Sequence, residues 1–324
     1  MKAPRSLIAL IGIVLSFSLF AQEKFIIAGG GGAKNGSVYS DMLGTIAATC
    51  STDAMTIEEQ ITTGGVQNLD LLKGNKVKAA IIPSDVLAAA KFNNASSVAQ
   101  IQTLFTLHTE AAHLIARADI KKEGGYGIGK LKFGGTDVAY NNPEDLKGRR
   151  VGAVGGSVVT ANILNDMLRY GWVVDSTSYK SNSELATALT SGNVDAIVIS
   201  AGLQSDAVKK IVGNFKLIPL RGNADTDKVY KSVKVEYPNL NGGRAVDTLG
   251  ARALMVTRTW RSQEMLDQLG TFRACFQTNA GKIQDKDGTH PAWQDVNAED
   301  KGEWQWYNLP NPAAAAKPVI AKKK

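Results

Sequence analysis

The chain has 324 residues and a formal net charge of +7, from 37 Lys and Arg against 30 Asp and Glu. Part of that excess sits in the terminal AKKK and in the first residues, so the charge is too thinly spread for a nucleic-acid surface. Beyond the first twenty residues no run is apolar enough to span a membrane. The remaining length of about 300 residues exceeds one ordinary domain, so two lobes of about 100 to 200 residues each are expected.

At the N-terminus Lys2 and Arg5 precede an apolar stretch from Ser6 to Phe20, and Ala21 supplies a small residue suited to cleavage. This is the make-up of a secretory signal peptide over 1–21, which places the chain in the periplasm; about fifteen apolar residues are short for a span, which needs about twenty, the alternative being an uncleaved anchor. Next comes FIIAGGGGAKNGSVYSDMLGTIAA, a strand-like run that breaks into four glycines before a helix opening at Gly36-Ser37. Glycine lets backbone N–H groups approach a ligand, and a helix start presents unpaired donors at a positive dipole end, which suits an anion. The dinucleotide spacing G-x-G-x-x-G fails from Gly29, Gly30, Gly31 and Gly32 alike, and Ser37 stands where a phosphate loop needs lysine. No cofactor is expected, and an exported chain would meet a free solute.

Further along, FIIAG, AMTIEEQITT, VKAAIIP, AHLIARAD, RRVGAV, VDAIVIS, FKLIPL and ARALMVT read as strands. Between them SVYSDMLGTIAATC, VQNLDLLKG, SDVLAAAKF, SVVTANILNDMLRYG, NSELATALTSG, LQSDAVKKIVG and SQEMLDQLGTFRACFQ carry apolar residues at helical spacing. Strands alternating with helices predict an α/β chain of two open sheets flanked by helices, with the ligand outside the carboxyl ends of the strands. Three junctions, GGGGAKNGSVYS, TTGGVQNLDLL and GGSVVTANIL, bring glycine with Ser, Thr or Asn to a helix start; IPSDVLAAA adds Ser84 and ISAGLQSDAV adds Gly202. LFTLHTEAAHLIARAD reads as a strand crossing between lobes and GGRAVDTLGARALMV as the one that returns. The expected division is therefore 22–113 and 248–324 in lobe 1, and 114–247 in lobe 2. Between the crossings GGYGIGKLKFGGTDVAYNN reads as a surface loop or hairpin.

Catalysis finds no support: neither G-x-S-x-G nor H-E-x-x-H occurs. The three histidines lack metal-ligand spacing, and the five-residue step from His108 to His113 puts them on opposite faces of a strand. Glu110 is a lone acid on the crossing strand, a hinge or solute contact against the alternative of an exposed charge. Cys50 ends the first helix and Cys275 lies in the last. Because the chain crosses twice, both return to lobe 1, where they can pair; the alternative is two buried thiols.

The run EEQITTGGVQNLDLLKGNKVKAAIIPSDVLAAA, followed by LHTEAAHLIARAD, DLKGRRVGAVGGSVVTANILNDML and ELATALTSGNVDAIVISAG, resembles the TAXI family of extracytoplasmic solute-binding proteins. The likeness extends from about Phe25 to about Phe276. It implies a two-lobed periplasmic binding protein of type II that closes on a small solute in the interlobe cleft. The solute would be an organic anion, a carboxylate or an amino acid such as glutamate, delivered to a tripartite ATP-independent periplasmic (TRAP) transporter in the membrane.

Onto this chain the family's first loop carries over at Gly36, Ser37 and Tyr39, with Lys34 and Asn35 new; its T-G-G-S-x-x-N segment carries over at Gly64, Gly65 and Asn68, with Val66 in place of serine. Ser84 and Asp85, Glu110, Gly156, Ser157, Thr160 and Gly202 complete the expected ligand set, with Ser84 and Asp85 open to a simpler role at their helix start. The segment HPAWQDVNAEDKGEWQWYNLPNP lacks the family's late H-P-G-A, and its tryptophans either pack on a lobe or mark a partner surface. The rival readings are a ligand sensor that signals to a membrane receptor and an exported α/β hydrolase; the missing nucleophile and base weigh against the hydrolase.

Overall fold

A computed structural model describes residues 23–31, 37–119, 121–124, 126–128, 131–133 and 136–309; the signal-peptide segment 1–21 and Gly36 lie outside the described residues. The N-terminal part alternates β1 (Glu23–Ala28), α1 (Val38–Cys50), β2 (Met55–Gln60), α2 (Gly65–Lys73), β3 (Ala79–Pro83) and α3 (Ser84–Asn93). Then comes β4 (Ile101–Arg117), seventeen residues long, and four short strands β5 (Lys121–Glu123), β6 (Tyr126–Ile128), β7 (Leu131–Phe133) and β8 (Thr136–Val138) that pair β5 with β8 and β6 with β7. These form the hairpin expected in the glycine-rich stretch.

The middle of the chain holds β9 (Arg150–Gly152), α4 (Gly156–Leu168), β10 (Val173–Asp175), α5 (Asn182–Ser191), β11 (Ala196–Gly202), α6 (Asp206–Lys209) and β12 (Phe215–Ile218). The chain closes with β13 (Tyr230–Val235), β14 (Val246–Arg258) and α7 (Gln263–Gln284).

In place of two separate sheets there is one ten-stranded sheet, ordered β10-β9-β11-β4-β14-β3-β1-β2, with β12 on β4 and β13 on β14. The cause is the length of β4 and β14. Residues 101–111 of β4 pair with β14, and residues 110–117 pair with β11 and β12. Likewise β14 pairs with β13 through 246–251 and with β3 through 253–257. Each long strand thus belongs to both lobes.

Each lobe buries both faces of its part of the sheet. In lobe 1, α1 and α7 cover one face with Met42, Leu43, Ile46, Phe272 and Phe276, while α2 and α3 cover the other with Leu69, Leu72, Val86 and Leu87. In lobe 2, Ala112, Leu114 and Ala116 of β4 meet α4 on one face, and Ala111 and Ile115 meet α5 on the other. Phe105 of β4 stacks on Phe276 of α7 with ring centroids 3.8 Å apart. A disulfide joins Cys50 at the end of α1 to Cys275 in α7, with Cα atoms 5.8 Å apart.

Some elements differ from the sequence expectation. The helix read over LQSDAVKKIVG holds only four residues, because the following Lys-Lys-Ile-Val-Gly leaves Val212 exposed with no core to meet. β13 was not expected, since its YKSVKV carries lysines at the solvated positions of a sheet edge. The C-terminal tryptophans pack on lobe 1: Trp293 is fully buried against Phe276, and the Trp304 indole N–H donates to the Ile101 carbonyl at 2.8 Å.

Candidate functional site

A cleft of about 940 Å³ opens between the two halves of the sheet. Besides the start of the four-residue α6, five helix starts reach it: Ser37 and Tyr39 at α1, Gly64 and Gly65 at α2, Asp85 at α3, Gly156 and Ser157 at α4, and Ser181 and Asn182 at α5. Local sequence builds these junctions. Gly64 holds φ at 116°, a conformation that leaves the N-cap to glycine. At Gly29 a Cβ would come within 2.2 Å of the Glu59 carboxylate, which instead accepts the Gly30 N–H at 3.0 Å and the Ser40 hydroxyl at 2.5 Å. The glycine run thus lets an acid of β2 brace the loop that leads to α1.

Of the residues expected from sequence, the cleft brings together Ser37, Tyr39, Gly64, Gly65, Asp85, Glu110, Gly156, Ser157, Thr160 and Gly202. Two do not belong. Asn68 is fully buried and spends its side chain inside lobe 1: Nδ2 donates to the carbonyls of Gly29 and Ile81, both at 2.7 Å, and Oδ1 accepts the Thr62 hydroxyl. Ser84 neither lines the cleft nor caps its helix. Its hydroxyl donates to the Val229 carbonyl at 2.9 Å and accepts the Arg252 N–H at 3.1 Å, tying α3 to β14 and to the residue that precedes β13. Val66 is half-exposed and off the cleft wall, so the valine that stands where the TAXI resemblance expects serine takes no hydroxyl from the site.

Two hydroxyls expected to meet the ligand are engaged within the protein. Thr160 donates to Asp85 at 2.6 Å, and Ser157 Oγ accepts the Ser200 N–H at 2.9 Å, which leaves Ser157 its own proton to donate. Asp85 also accepts the Val86 N–H at 2.8 Å and the Tyr230 hydroxyl at 3.2 Å. Burial, with the Glu110 charge adding to it, pushes the Asp85 carboxyl up to about 6 against the pull of these hydrogen bonds. Burial also raises the Tyr39 hydroxyl well above its ordinary value, with Glu110 reinforcing the effect, so Tyr39 keeps its proton as a donor.

Sequence reasoning passed over several lining residues. His108 stands two positions before Glu110, so the period of a strand puts both on one face; that alternation was the available signal. Lys180, Lys209 and Lys234 stand on the lobe 2 side, Lys209 paired with Asp206 at 3.2 Å. His290 and Asp295 reach the cleft from the C-terminal segment, where Asp295 accepts the Thr109 N–H. The acids lining the cleft are thus Asp85 of α3, Glu110 of β4, Asp295 and the Lys209-paired Asp206, and the exposed lysines stand on the lobe 2 side. Among the described residues no group of three or more His, Cys, Asp or Glu is placed to hold a metal, and no helix is long and apolar enough to cross a membrane. What the cleft offers is backbone and hydroxyl donors at helix starts, the buried Asp85 and partly buried Glu110 carboxyl groups, and exposed lysines on the lobe 2 side.

The model of the NMT1-like family matches residues 30–271. No curated protein matches the chain. Among solved structures, the arginine-bound substrate-binding protein AbpA of an amino acid ABC transporter from Streptococcus pneumoniae aligns at 15% identity over 85% of this chain and 96% of its own, with a TM-score of 0.46. A histidine kinase sensor domain similar to periplasmic binding proteins aligns at 13% identity over 81% and 92%, with a TM-score of 0.47. A zinc-bound ligand-binding component of an ABC-type import system from Staphylococcus aureus aligns at 12% identity over 89% and 86%, with a TM-score of 0.46.

Proposed function

The chain belongs to the NMT1-like family, and from that premise we propose that it is a periplasmic solute-binding receptor for a small organic anion, a carboxylate or an amino acid such as glutamate. The observation that carries the reading is the convergence of five helix starts on one cleft. Unpaired N–H groups and aligned dipoles favour negative charge there, and the Ser157 proton adds a directed donor. At α3 that donor potential is already taken by Asp85, so the solute's anionic group falls to the starts of α1, α2, α4 and α5. Asp85 and Glu110 suit an ammonium on the same solute, which favours an amino acid over a plain carboxylate.

The lobes would divide near 113 and 247, where β4 and β14 cross, and close on the solute. Delivery to a TRAP transporter is part of the proposal, supported by the TAXI-like blocks between Phe25 and Phe276. An N-terminal signal peptide over 1–21 would carry the chain to the periplasm.

Mass spectrometry of small molecules released on denaturing the purified protein, followed by a thermal-shift screen of organic acids, amino acids, sugars and cations, tests the solute class. A bound anion should raise the melting temperature by mass action. Stabilisation by neutral sugars alone would overturn the anion reading. Uptake by membrane vesicles holding the partner transporter should run on an ion gradient; a strict need for ATP would overturn TRAP delivery.

A further inference from the structure

His113 is fully buried on β4, in the part of that strand that pairs with β11, and Tyr237, equally buried just past β13, meets it. The Tyr237 oxygen lies 2.8 Å from His113 Nε2 and 2.9 Å from the Leu203 carbonyl, and it accepts the Ser205 N–H at 3.0 Å. On the other side of the ring, Nδ1 lies 3.0 Å from the Ile199 carbonyl. Leu203, Gln204 and Ser205 form the turn between β11 and α6 and line the cleft. Among the described residues, the Tyr237 hydroxyl is the one side-chain group bonded to the backbone of that turn. The pair thus joins the cleft wall to the crossing strand.

Three of these contacts each need a proton: Nδ1 with the Ile199 carbonyl, Nε2 with the Tyr237 oxygen, and that oxygen with the Leu203 carbonyl. A neutral imidazole and a phenol hold only two between them. A phenol donates to an imidazole nitrogen, the more basic acceptor, in preference to a carbonyl. The neutral ring therefore keeps its proton on Nδ1 for Ile199, Tyr237 donates to Nε2, and the Leu203 carbonyl faces the Tyr237 oxygen with no proton between them. One further proton, on Nε2, turns the Tyr237 hydroxyl to Leu203 and completes all three. Resting on the reading of the cleft as a solute receptor, we infer that His113 and Tyr237 are positioning residues for the cleft, which clamp the 203–205 turn to β4 when His113 takes up a proton and loosen it when the proton leaves. Burial lowers the His113 ring to about 4, against the pull of the Ile199 and Ala111 carbonyls, and burial pushes Tyr237 up to about 12, so the phenol keeps its own proton. Tyr237 is the titratable group that touches the ring; beside the turn stand Asp206, paired with Lys209 at 3.2 Å, and His290 in the cleft. The clamped form of the native protein binds the proton more tightly than the loosened form, so acid favours it.

Nitrogen NMR and hydrogen exchange on the solute-free protein read the clamp directly, so its failure would leave the receptor reading standing. At pH 7 the His113 ring should show a protonated Nδ1 and a bare Nε2, and Nε2 should gain a proton as pH falls toward 4. The amides of Leu203, Gln204 and Ser205, corrected for their intrinsic rates, should be several-fold better protected at pH 4 than at pH 7. Tyr237→Phe, which removes the hydroxyl and keeps the ring, should lower that protection about tenfold at pH 4, the value of roughly one hydrogen bond, and abolish its pH dependence. A proton on Nε2 already at pH 7, equal protection at the two pH values, or a pH dependence that survives in Tyr237→Phe would each overturn the inference. Should Tyr237→Phe not fold, the ring protonation and the wild-type exchange decide.

Discussion

The hydroxyl of Thr160 on α4 donates to the carboxyl group of Asp85 on α3 across 2.6 Å, and the Tyr230 hydroxyl reaches the same carboxyl group at 3.2 Å. Two hydroxyls 75 and 145 positions along the chain from Asp85 thereby share this one buried acid in the cleft. A charge in that setting is costly unless its partners offset the loss of water.

Acid stability should reveal this arrangement. Asp85 holds its proton more tightly folded, at about 6, than its ordinary value of 3.8, so its contribution is full below about pH 3.8 and is lost as pH rises through about 6. Buried His113 runs the other way: lowered from 6.5 to about 4, it contributes above about pH 6.5 and loses that contribution as pH falls through about 4. Each is worth roughly 3 kcal/mol, so over pH 4 to 6 the two slopes largely cancel. Asp85→Asn should leave stability rising steeply with pH across that window, and His113→Gln should leave it falling. Urea midpoints at pH 4, 5, 6 and 7 would show it, and a slope unchanged from wild type in both variants would refute the assignment.

Reducing the Cys50–Cys275 bond should destabilise lobe 1 by roughly 2 to 4 kcal/mol, because the bridge closes a loop of 225 positions. The paired variant Cys50→Ser with Cys275→Ser, compared with wild type by chemical denaturation with and without reductant, checks this. Two alkylatable thiols in the unreduced folded protein would show that the bridge is absent in solution.

Asn68→Ala should cost about 2 to 4 kcal/mol, since it removes the amide donor from the Gly29 and Ile81 carbonyls and the acceptor of the Thr62 hydroxyl inside lobe 1. Because Asn68 is off the cleft wall, the variant's melting temperature should still rise on adding the solute as much as wild type's does. A stable variant that no longer responds to solute would return Asn68 to the ligand set.

Closure of the lobes should turn on Ala112–Arg117 of β4 and Val246–Arg252 of β14, the segments where each long strand changes neighbours. Solution scattering should give a smaller radius of gyration with the retained solute than without it. An unchanged radius would mark the cleft as rigid.

Much of this was legible from residues. Apolar runs rich in β-branched residues placed the central strands, and glycine followed by a helical period placed four of the helix starts, because both signals arise within about a dozen residues of chain. The crossing strand was visible in the run LFTLHTEAAHLIARAD. The roles of Asn68, Ser84 and Thr160 were not legible. Each sits where a ligand contact belongs by motif, yet its partner, at Ile81, Val229 or Asp85, is fixed by tertiary approach alone. β13 escaped notice because an edge strand with solvated lysines has no apolar alternation to read. His108 was weighed only as a metal ligand, a question its spacing answers in the negative without touching its place in the cleft.

The sheet order carries a consequence for how the chain is made. β14 stands between β3 and β4, so the strands completed first, β1 to β3, cannot join β4 until residues 246–258 have been synthesised. Until then the β3 edge is an open row of N–H and C=O groups on a strand whose five residues are all buried in the finished protein. A nascent chain that has passed β13 but not yet made β14 therefore still carries that open edge, and shielding by a chaperone matters until residues 246–258 are in place.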